Sequence, residues 1–158
     1  MIKTEKYTIR TIEEKDIEVI QRWNTCEFRG EYQEFHFESE QSLIKQFNCD
    51  GFFSDKFQML FVDGDNSPIG LIYISFIRHG LASIGVVICN EKRGKGLGLQ
   101  ITLTIVDYLF KNFDIVRIQA DTDVNNIAAQ KVLEKACFEK EGIMKKFRYH
   151  HGKYNDSI

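Results

Sequence analysis

Hydrophobic and polar positions fall into blocks along this chain, and the blocks predict alternating strands and helices. Apolar runs bounded by turn residues predict strands over residues 7–10, 57–62, 69–77, 81–89 and 115–120. Apolar positions three and four residues apart predict helices over residues 13–23, 39–48, 97–111 and from 125 or 126 to 136. Residues 138–149 and 154–158 are typical of a closing hairpin, in which His150 and His151 are interpreted as turn residues.

The order of these elements predicts the fold class. The strands between residues 57 and 89 are joined by short turns, which favours an antiparallel meander. The strand at 115–120 follows a helix, and such a crossover places it parallel to the strand that ends at Cys89. We therefore expect a single α+β domain over residues 1–158. Its twisted sheet should be mixed and mostly antiparallel, with about six to seven strands and about four helices on both faces.

Composition places the chain among ordinary globular proteins and argues against some classes of partner. Apolar residues make up 43% and charged residues 28% of the 158 positions, and the formal charge of −2 argues against nucleic-acid binding by bulk electrostatics. No apolar run approaches the ~20 residues that span a bilayer, and the polar first residues lack the apolar core of a secretory signal. The four scattered cysteines form no C-x-x-C pair, so free thiols, a cytoplasmic location and no metal are expected.

The strongest chemical signal is the loop Arg93-Gly94-Lys95-Gly96-Leu97-Gly98. It lies between the apolar run 84–89 and the helical pattern over 97–111. Glycines at a strand-to-helix junction allow a tight turn in which several N–H groups face one anion, and the helix dipole adds to the attraction. The loop therefore predicts a site for a phosphate or pyrophosphate group.

Known phosphate-binding patterns separate the candidate ligands. The P-loop pattern is excluded because Lys95 precedes Gly96 and no Ser or Thr follows a Gly-Lys pair. The dinucleotide pattern G-x-G-x-x-G fails at Leu99, although Asp121 stands 23 residues beyond Gly98, where a ribose-binding acid is expected. Asp121 thus leaves a nicotinamide oxidoreductase open as a hypothesis.

A third pattern, R/Q-x-x-G-x-G/A, is met in full by Arg93, Gly96 and Gly98, and it resembles the acyl-CoA loop of the GNAT superfamily of N-acetyltransferases. Other segments resemble this family, and in particular its ribosomal-protein and polyamine acetyltransferase branch: residues 84–88, 126–138, 141–142 and 152–156. The likeness extends from residue 7 to residue 158 and implies a GNAT-like fold with acetyl-CoA as co-substrate.

The resemblance also implies a role for each residue of the cofactor site. The pantetheine arm would pair with the backbone of Val86, Val87 and Ile88. The pyrophosphate would be held by the N–H groups of Gly94, Lys95, Gly96, Leu97 and Gly98, with added charge from Arg93 or Lys95. Asn126 would bond the pantetheine, and Lys131 or Lys135 would reach a CoA phosphate. For the two lysines, a solvated helix face is the alternative interpretation.

The groups that would carry out catalysis are less evident. Acetyl transfer needs a neutral amine and a polarised thioester carbonyl, for which a backbone N–H near Val87 or Ile88 is the expected donor. An acid can also protonate the leaving thiolate, although a thiolate leaves without one. The Tyr or Ser that serves this purpose in members of the family is replaced here by Leu133 and Ala129.

Acidic residues crowd the segment 27–40, which corresponds to the wall of the acceptor site in the family that the chain resembles. Such acids attract a cationic amine. Glu31 and Glu34 are the first candidates for acceptor binding or for the general base, and His36 is the next because its pKa suits proton uptake. An exposed acidic loop without a catalytic role is the alternative.

We therefore expect an acetyl-CoA-dependent N-acetyltransferase that acts on a primary amine by direct attack in a ternary complex. A protein N-terminus, a polyamine, an amino sugar and an aminoglycoside are the candidate acceptors. Leu133 and Ala129 leave a second hypothesis open, a non-catalytic module that binds acyl-CoA. The sequence also leaves a homodimer open, and it predicts no metal, nucleic-acid or membrane partner.

Overall fold

The computed structural model describes residues 1–158, apart from the side chain of Cys26. Its strands are β1 (Ile2–Lys3), β2 (Tyr7–Thr11), β3 (Phe57–Gly64), β4 (Pro68–Arg78), β5 (Gly80–Ile88), β6 (Ile115–Gln119), β7 (Met144–His150) and β8 (Lys153–Ser157). Its α-helices are α1 (Ile17–Arg22), α2 (Cys26–Arg29), α3 (Glu40–Asp50), α4 (Leu97–Asn112) and α5 (Ile127–Lys135). Short 3-10 turns at Glu14–Asp16 and Asn90–Lys92 precede α1 and the glycine loop.

Strands β1 to β6 form one sheet in chain order, and β7 and β8 form a separate hairpin. Neighbouring strands from β1 to β5 are antiparallel, whereas β6 runs parallel to β5 after the crossover through α4. The hairpin joins the chain just beyond β6, where Thr122 and Ile158 exchange two backbone hydrogen bonds of 2.9 and 2.8 Å. These features confirm the expected α+β class and the mixed, mostly antiparallel sheet.

The sheet carries an apolar core on each face. On one face, α4 buries Ile101, Ile105 and Leu109 completely against strands β2 to β5. On the other face, Phe28 of α2 and Leu43 of α3 pack with residues of α1 and with the side chains of β3 and β4 that point to this face. Helices therefore flank the sheet on both sides, as the alternating pattern predicts.

Strand β5 is paired along its length on one side but only at its beginning on the other. Its register with β4 runs from Leu81 to Ile88, whereas its register with β6 ends at the pair Ser83–Gln119. Within the described residues, no strand pairs with the second edge of β5 from Ile84 onward. The two parallel strands thus separate toward their C-terminal ends, and a gap opens between them.

Some predicted boundaries are wrong. The helix expected over 13–23 begins as a 3-10 turn because Asp16 turns inward, with its Oδ2 2.5 Å from Arg10 Nη1, and the α-helical part is only Ile17–Arg22. Residues 138–143 do not form a strand, because β8 ends where the chain bonds Thr122 and leaves them no partner. The single-turn helix α2 lies in a segment where the pattern predicts none.

Candidate active site

The glycine loop takes a conformation that favours glycine at two positions. Gly94 and Gly96 have φ values of 72° and 76°, in the left-handed region that other residues rarely adopt. A Cβ atom at either position would meet nothing within 4 Å, so the constraint is the backbone torsion and not the space. Gly96 is also the N-cap of α4, so the loop and the helix form one continuous turn.

The backbone N–H groups of residues 94–98 make no hydrogen bond within the described part of the chain. Residues 93–96 are exposed, and the helical bond that follows them runs from the Gln100 N–H to the Gly96 carbonyl, at 3.3 Å. These free donors stand at the N-terminal end of a 16-residue helix, where the helix dipole is positive. The arrangement can hold the oxygens of a phosphate group.

Arg93 and Lys95 are both turned back onto the loop. Arg93 donates from Nε to the carbonyl of Ile88, at 2.8 Å, and from Nη2 to the carbonyl of Phe28, at 2.6 Å. Lys95 Nζ donates to the carbonyl of Glu91, at 2.8 Å. Arg93 thereby ties the end of β5 to α2 while its charge stays beside the loop. Contact of either side chain with a cofactor stays a prediction.

The free edge of β5 presents a second set of unpaired backbone groups. The Cys89 N–H donates to the carbonyl of Ile69 on β4, at 2.9 Å. Such bonds alternate along an antiparallel ladder, so the N–H of Val87 faces β4 while those of Val86 and Ile88 face the gap. Between the two residues expected to polarise the thioester, the alternation favours Ile88.

Helix α5 lies beside the loop. A Cβ atom built on Gly98 would lie 3.9 Å from Val132 Cγ2, an ordinary contact distance between the two helices. Asn126 is the N-cap of α5, and its side-chain oxygen accepts from the Ala129 N–H at 3.1 Å. Lys131 is exposed on the same helix. Both residues therefore stay candidates for contacts to the cofactor.

The acidic segment meets the tip of the β7–β8 hairpin. Glu34 Oε1 accepts from the Tyr149 N–H at 3.3 Å, and the His151 ring lies 3.0 Å from the carbonyl oxygen of Glu31. Glu34 and His36 also line one cavity of about 460 Å³. The structure thus brings Glu34 and His36 together and places Glu31 at the hairpin tip.

Two polar pairs join the hairpin to the chain beyond β6, at positions where the sequence patterns predict none. Arg148 Nη2 donates to Asp121 Oδ2 at 2.6 Å, and His150 Nε2 lies 2.8 Å from Asp123 Oδ2. The side chains of His150 and Asp123 are 8% and 0% exposed. The interpretation of His150 as a turn residue is therefore wrong, since it is the buried last residue of β7. In an extended segment, every second side chain lies on the same face. This period of two places Arg148 on one face with His150 and Asp121 on one face with Asp123, and it is the sequence signal for both pairs.

Asp121 has a structural role that differs from the ribose-binding role considered above. Its Oδ2 accepts from Ser157 Oγ at 2.9 Å as well as from Arg148. The carboxylate thus fastens the hairpin to the chain beyond β6. The observation that favoured a nicotinamide ligand is explained by this contact.

Burial and hydrogen bonding shift pKa values around the gap. Burial raises the pKa of the Cys89 thiol at the end of β5. Burial also acts to raise the pKa of Asp123, but hydrogen bonds from Asn125 and His150 outweigh it, so that pKa lies below its ordinary value. At neutral pH, Cys89 is therefore a neutral thiol and Asp123 is a carboxylate.

A further cavity, of about 690 Å³, lies between α4, α5, β6 and residues 137–147. Asp121 and Leu133 line it, whereas the residues predicted to hold CoA or to act as the base do not. In the described residues, no three His, Cys, Asp or Glu side chains are grouped to hold a metal ion. The helices of that same part of the chain all fall short of the length and apolarity of a membrane span.

Comparison with known proteins agrees with this geometry. The family model for the acetyltransferase (GNAT) domain matches residues 9–158. The chain is 34% identical over 90 residues to the probable N-acetyltransferase YjcK of Bacillus subtilis, which covers 55% of this chain and 50% of that protein. It is 34% identical over 66 residues to the aminoglycoside N(6')-acetyltransferase type 1 of Klebsiella pneumoniae, which covers 41% of this chain and 33% of that protein. The chain thus spans half or less of the length of these relatives.

A solved structure shares the fold over nearly the whole chain. The spermidine N-acetyltransferase from Vibrio cholerae, in complex with CoA and spermine, has a TM-score of 0.87 and 24% sequence identity, covering 98% of this chain and 93% of that one. At this identity the likeness concerns the fold alone. The nicotinamide hypothesis is therefore wrong, and the chain belongs to the GNAT family of acetyltransferase domains.

Proposed function

We propose that this protein transfers an acetyl group from acetyl-CoA to a primary amine, by direct attack in a ternary complex. The observation that carries the proposal is the presence of two unpaired sets of backbone groups at the same end of β5. One set is the N–H groups of residues 94–98, and the other is the free edge of residues 84–88. The first set suits a pyrophosphate, and the second suits the extended pantetheine arm of the same molecule.

Each part of the cofactor has a matching group in this arrangement. The amide groups of the pantetheine pair with unpaired backbone groups along the free edge of β5, as an added strand would. Asn126 begins α5 beside the loop, and we assign its side-chain amide to the pantetheine. Exposed Lys131 or Lys135 meets a CoA phosphate from the same helix.

The chemistry then needs no covalent enzyme intermediate. The amine nitrogen attacks the thioester carbon, the Ile88 N–H donates to the developing oxyanion, and the C–S bond breaks as its electron pair leaves on sulfur. Cys89 is buried, and its Sγ lies 3.7 Å from the Pro68 carbonyl oxygen, so it is not placed to be acetylated first. A thiolate is a tolerable leaving group because its pKa is about 8.5, so turnover does not require an acid at Leu133 or Ala129.

The acidic segment favours a cationic acceptor. Glu31 and Glu34 are exposed beside the hairpin tip, and Glu34 shares a cavity with Glu38. Several carboxylates in one wall attract an acceptor that carries more than one ammonium group. The named activities of the relatives, on aminoglycosides and on spermidine, support the same class. We therefore propose a polyamine or an aminoglycoside ahead of a protein N-terminus or a simple amino sugar.

One observation favours a second function, a non-catalytic module that binds acyl-CoA. Leu133 and Ala129 occupy the positions at which members of the family carry an acid for the thiolate. Such a module would keep the loop and the free edge of β5 and lack turnover.

Calorimetric titration with acetyl-CoA, CoA and NAD tests the cofactor assignment, and release of free thiol on a panel of spermidine, spermine, an aminoglycoside and a peptide tests the reaction. We expect binding of both CoA species, no binding of NAD, and thiol release with at least one polycationic amine. Binding without thiol release above solvent hydrolysis would favour the module. Absence of CoA binding would contradict both functions.

A further inference from the structure

We propose that His150, oriented by Asp123, is the general base that takes the proton from the acceptor amine. The proposal rests on the acetyltransferase function proposed above. It assigns the proton transfer to a buried pair between the hairpin and the chain beyond β6, in place of the exposed residues of the acidic segment.

The pair has the geometry of a base with an orienting carboxylate. His150 Nε2 lies 2.8 Å from Asp123 Oδ2. The other oxygen, Asp123 Oδ1, accepts from the N–H and the Nδ2 of Asn125, at 2.8 and 3.0 Å, which holds the carboxylate in place. A carboxylate acceptor selects the neutral tautomer with its proton on Nε2, so the lone pair lies on Nδ1. That nitrogen is buried and makes no hydrogen bond with any described residue.

The pair lies at the level of the gap where the thioester is expected. The last pair between the two parallel strands is Ser83–Gln119. Val87 and Asp123 each lie four residues beyond this pair, Val87 still within β5 and Asp123 in the segment that follows β6. Asp123 therefore belongs to the side of the gap opposite the segment of β5 that is expected to polarise the thioester.

The pair also lies on the acceptor side of the sheet. The neighbours of His150 in β7 contact the acidic segment: the Tyr149 N–H donates to Glu34, and Arg148 Nη1 donates to Gln33 Oε1 at 3.2 Å. An amine that is held by the acidic segment therefore approaches the gap past the end of β7.

The exposed candidates are less suited to the role. Glu31, Glu34 and His36 are all exposed, and no carboxylate is seen to orient the His36 ring within the described residues. A base works best when its ring is held in one tautomer and one orientation. Glu31 and Glu34 keep the role of attracting the cationic acceptor.

The proton transfer balances without a further reactant. As the neutral amine forms the C–N bond, it gives up a proton to His150 Nδ1, and the ring becomes an imidazolium beside the Asp123 carboxylate. Because Nδ1 is covered, this transfer requires the side chains over it to move aside when the acceptor binds. The imidazolium then returns the proton to water or to the CoA thiolate. The second route supplies the acid that is missing at Leu133 and Ala129.

Several charged and titratable groups surround the pair. Arg148 and Asp121 are ion-paired on the same faces of β7 and of the chain beyond β6. His151 has its ring centroid 5.4 Å from that of His150, and Lys153 pairs with His150 in the hairpin register. The acidic segment adds Glu31, Tyr32 and Glu34.

The pH dependence of kcat/KM in three variants tests the proposal, with the amine that gives the fastest thiol release. His150→Gln keeps an N–H donor for Asp123 and removes the base. We expect it to lower kcat at neutral pH by about 100-fold, to leave the Kd of acetyl-CoA within about threefold, and to abolish the fall in rate at acid pH that His150 causes. Any change of kcat/KM with pH that is caused by ionisation of the substrate amine is common to all variants.

Asp123→Asn gives a signature that a purely structural role would not produce. Loss of the carboxylate frees the ring to take the other tautomer, so we expect kcat to fall by about 100-fold while the Kd of acetyl-CoA stays within about threefold of the wild type. The matched control is His79→Gln. His79 also pairs with an aspartate, Asp114, at 3.2 Å, but both side chains are 86% exposed at the opposite end of β5. We expect this control to match the wild type in rate and in pH profile.

The wild-type protein is measured first, which separates the two proposals. If it binds acetyl-CoA but releases thiol with no amine, the acetyltransferase function fails and the role of His150 fails with it. If the wild type turns over and His150→Gln keeps its rate and acid limb, the role of His150 is overturned while the function stands. If His150→Gln does not fold, by its melting temperature, then Asp123→Asn decides: a fall in kcat with an unchanged Kd for acetyl-CoA supports the proposal, and an unchanged kcat overturns it.

Discussion

The two ends of strand β5 differ in how many of their edges are paired with another strand. At its N-terminal end, residues 81–83 are paired with β4 on one edge and with β6 on the other. At its C-terminal end, residues 84–88 keep β4 but have lost β6. We call these the closed end and the open end of β5. One strand is thus paired on both edges at the closed end and has unpaired backbone groups on one edge at the open end.

The difference lies in what surrounds each end. At the closed end, the side chains beneath the sheet are apolar and fully buried, as Leu109 of α4 is. At the open end, charge surrounds the gap: the Arg93 guanidinium, the Asp123–His150 pair and the acidic segment. Since burial of apolar groups stabilises the fold and unpaired polar groups bind ligands, changes at the two ends should affect different measurements.

The largest expected effect is on stability, at the closed end. Leu109→Ala leaves a cavity in a fully buried site, so we expect the free energy of unfolding to fall by about 2–5 kcal/mol in urea denaturation. The Kd of acetyl-CoA for the folded protein should not change. Leu103→Ala on the same helix is the control, since Leu103 is 45% exposed and should cost less than about 0.5 kcal/mol. Weaker acetyl-CoA binding in Leu109→Ala would mean that the two ends are coupled.

The next effect is on binding, at the open end. Gly96→Ala forces a side chain into the left-handed region, which costs about 1–2 kcal/mol, and we expect acetyl-CoA affinity to fall about tenfold by calorimetry. Gly142→Ala is the matched control, because a Cβ atom there also meets nothing within 4 Å and its φ is not in that region. Equal affinity in the two variants would contradict the proposed role of the loop.

A smaller effect separates the shape of Arg93 from its charge. Lysine keeps the charge but cannot bond the carbonyls of Ile88 and Phe28 with one planar group. We expect Arg93→Lys to weaken acetyl-CoA binding about three- to tenfold, the equivalent of one lost hydrogen bond. If Arg93 acts only as a charge, Arg93→Lys will bind acetyl-CoA like the wild type, and only Arg93→Gln will bind it more weakly.

The smallest effect concerns the hairpin that walls the open end, and it depends on pH. The hydrogen bond from Lys145 Nζ and that from the Lys146 N–H lower the pKa of Asp156 below its ordinary 3.8. Because the pKa is lower in the folded protein, the carboxylate stabilises the fold at pH values above its ordinary pKa. This contribution disappears as the pH falls through the lowered pKa. Urea denaturation from pH 6 to about pH 2 should show this loss. Asp156→Asn should lack that part of the pH dependence, and an unchanged curve would contradict it.

Local patterns predicted much of the fold and of the cofactor loop. The meander from β3 to β5, the crossover through α4 and the N-cap of α3 at Ser39 follow from apolar spacing and from turn and cap residues within about ten positions of one another. The left-handed torsions at Gly94 and Gly96 follow from the same short-range chemistry. Helix α1 is shorter than its pattern because a contact from Arg10 to Asp16 replaces the expected first turn.

Sequence alone therefore determined most of the strands and helices and the tight bend of the glycine loop, since each depends on torsions and periods that neighbouring residues set. The tertiary structure alone decided where β5 and β6 part, that Arg93 reaches Phe28, and that His150 meets Asp123. The last two contacts join residues 65 and 27 positions apart. Such contacts exist only once the sheet has set the relative positions of its strands, and a period of two identifies the face of a residue but not its partner on another strand.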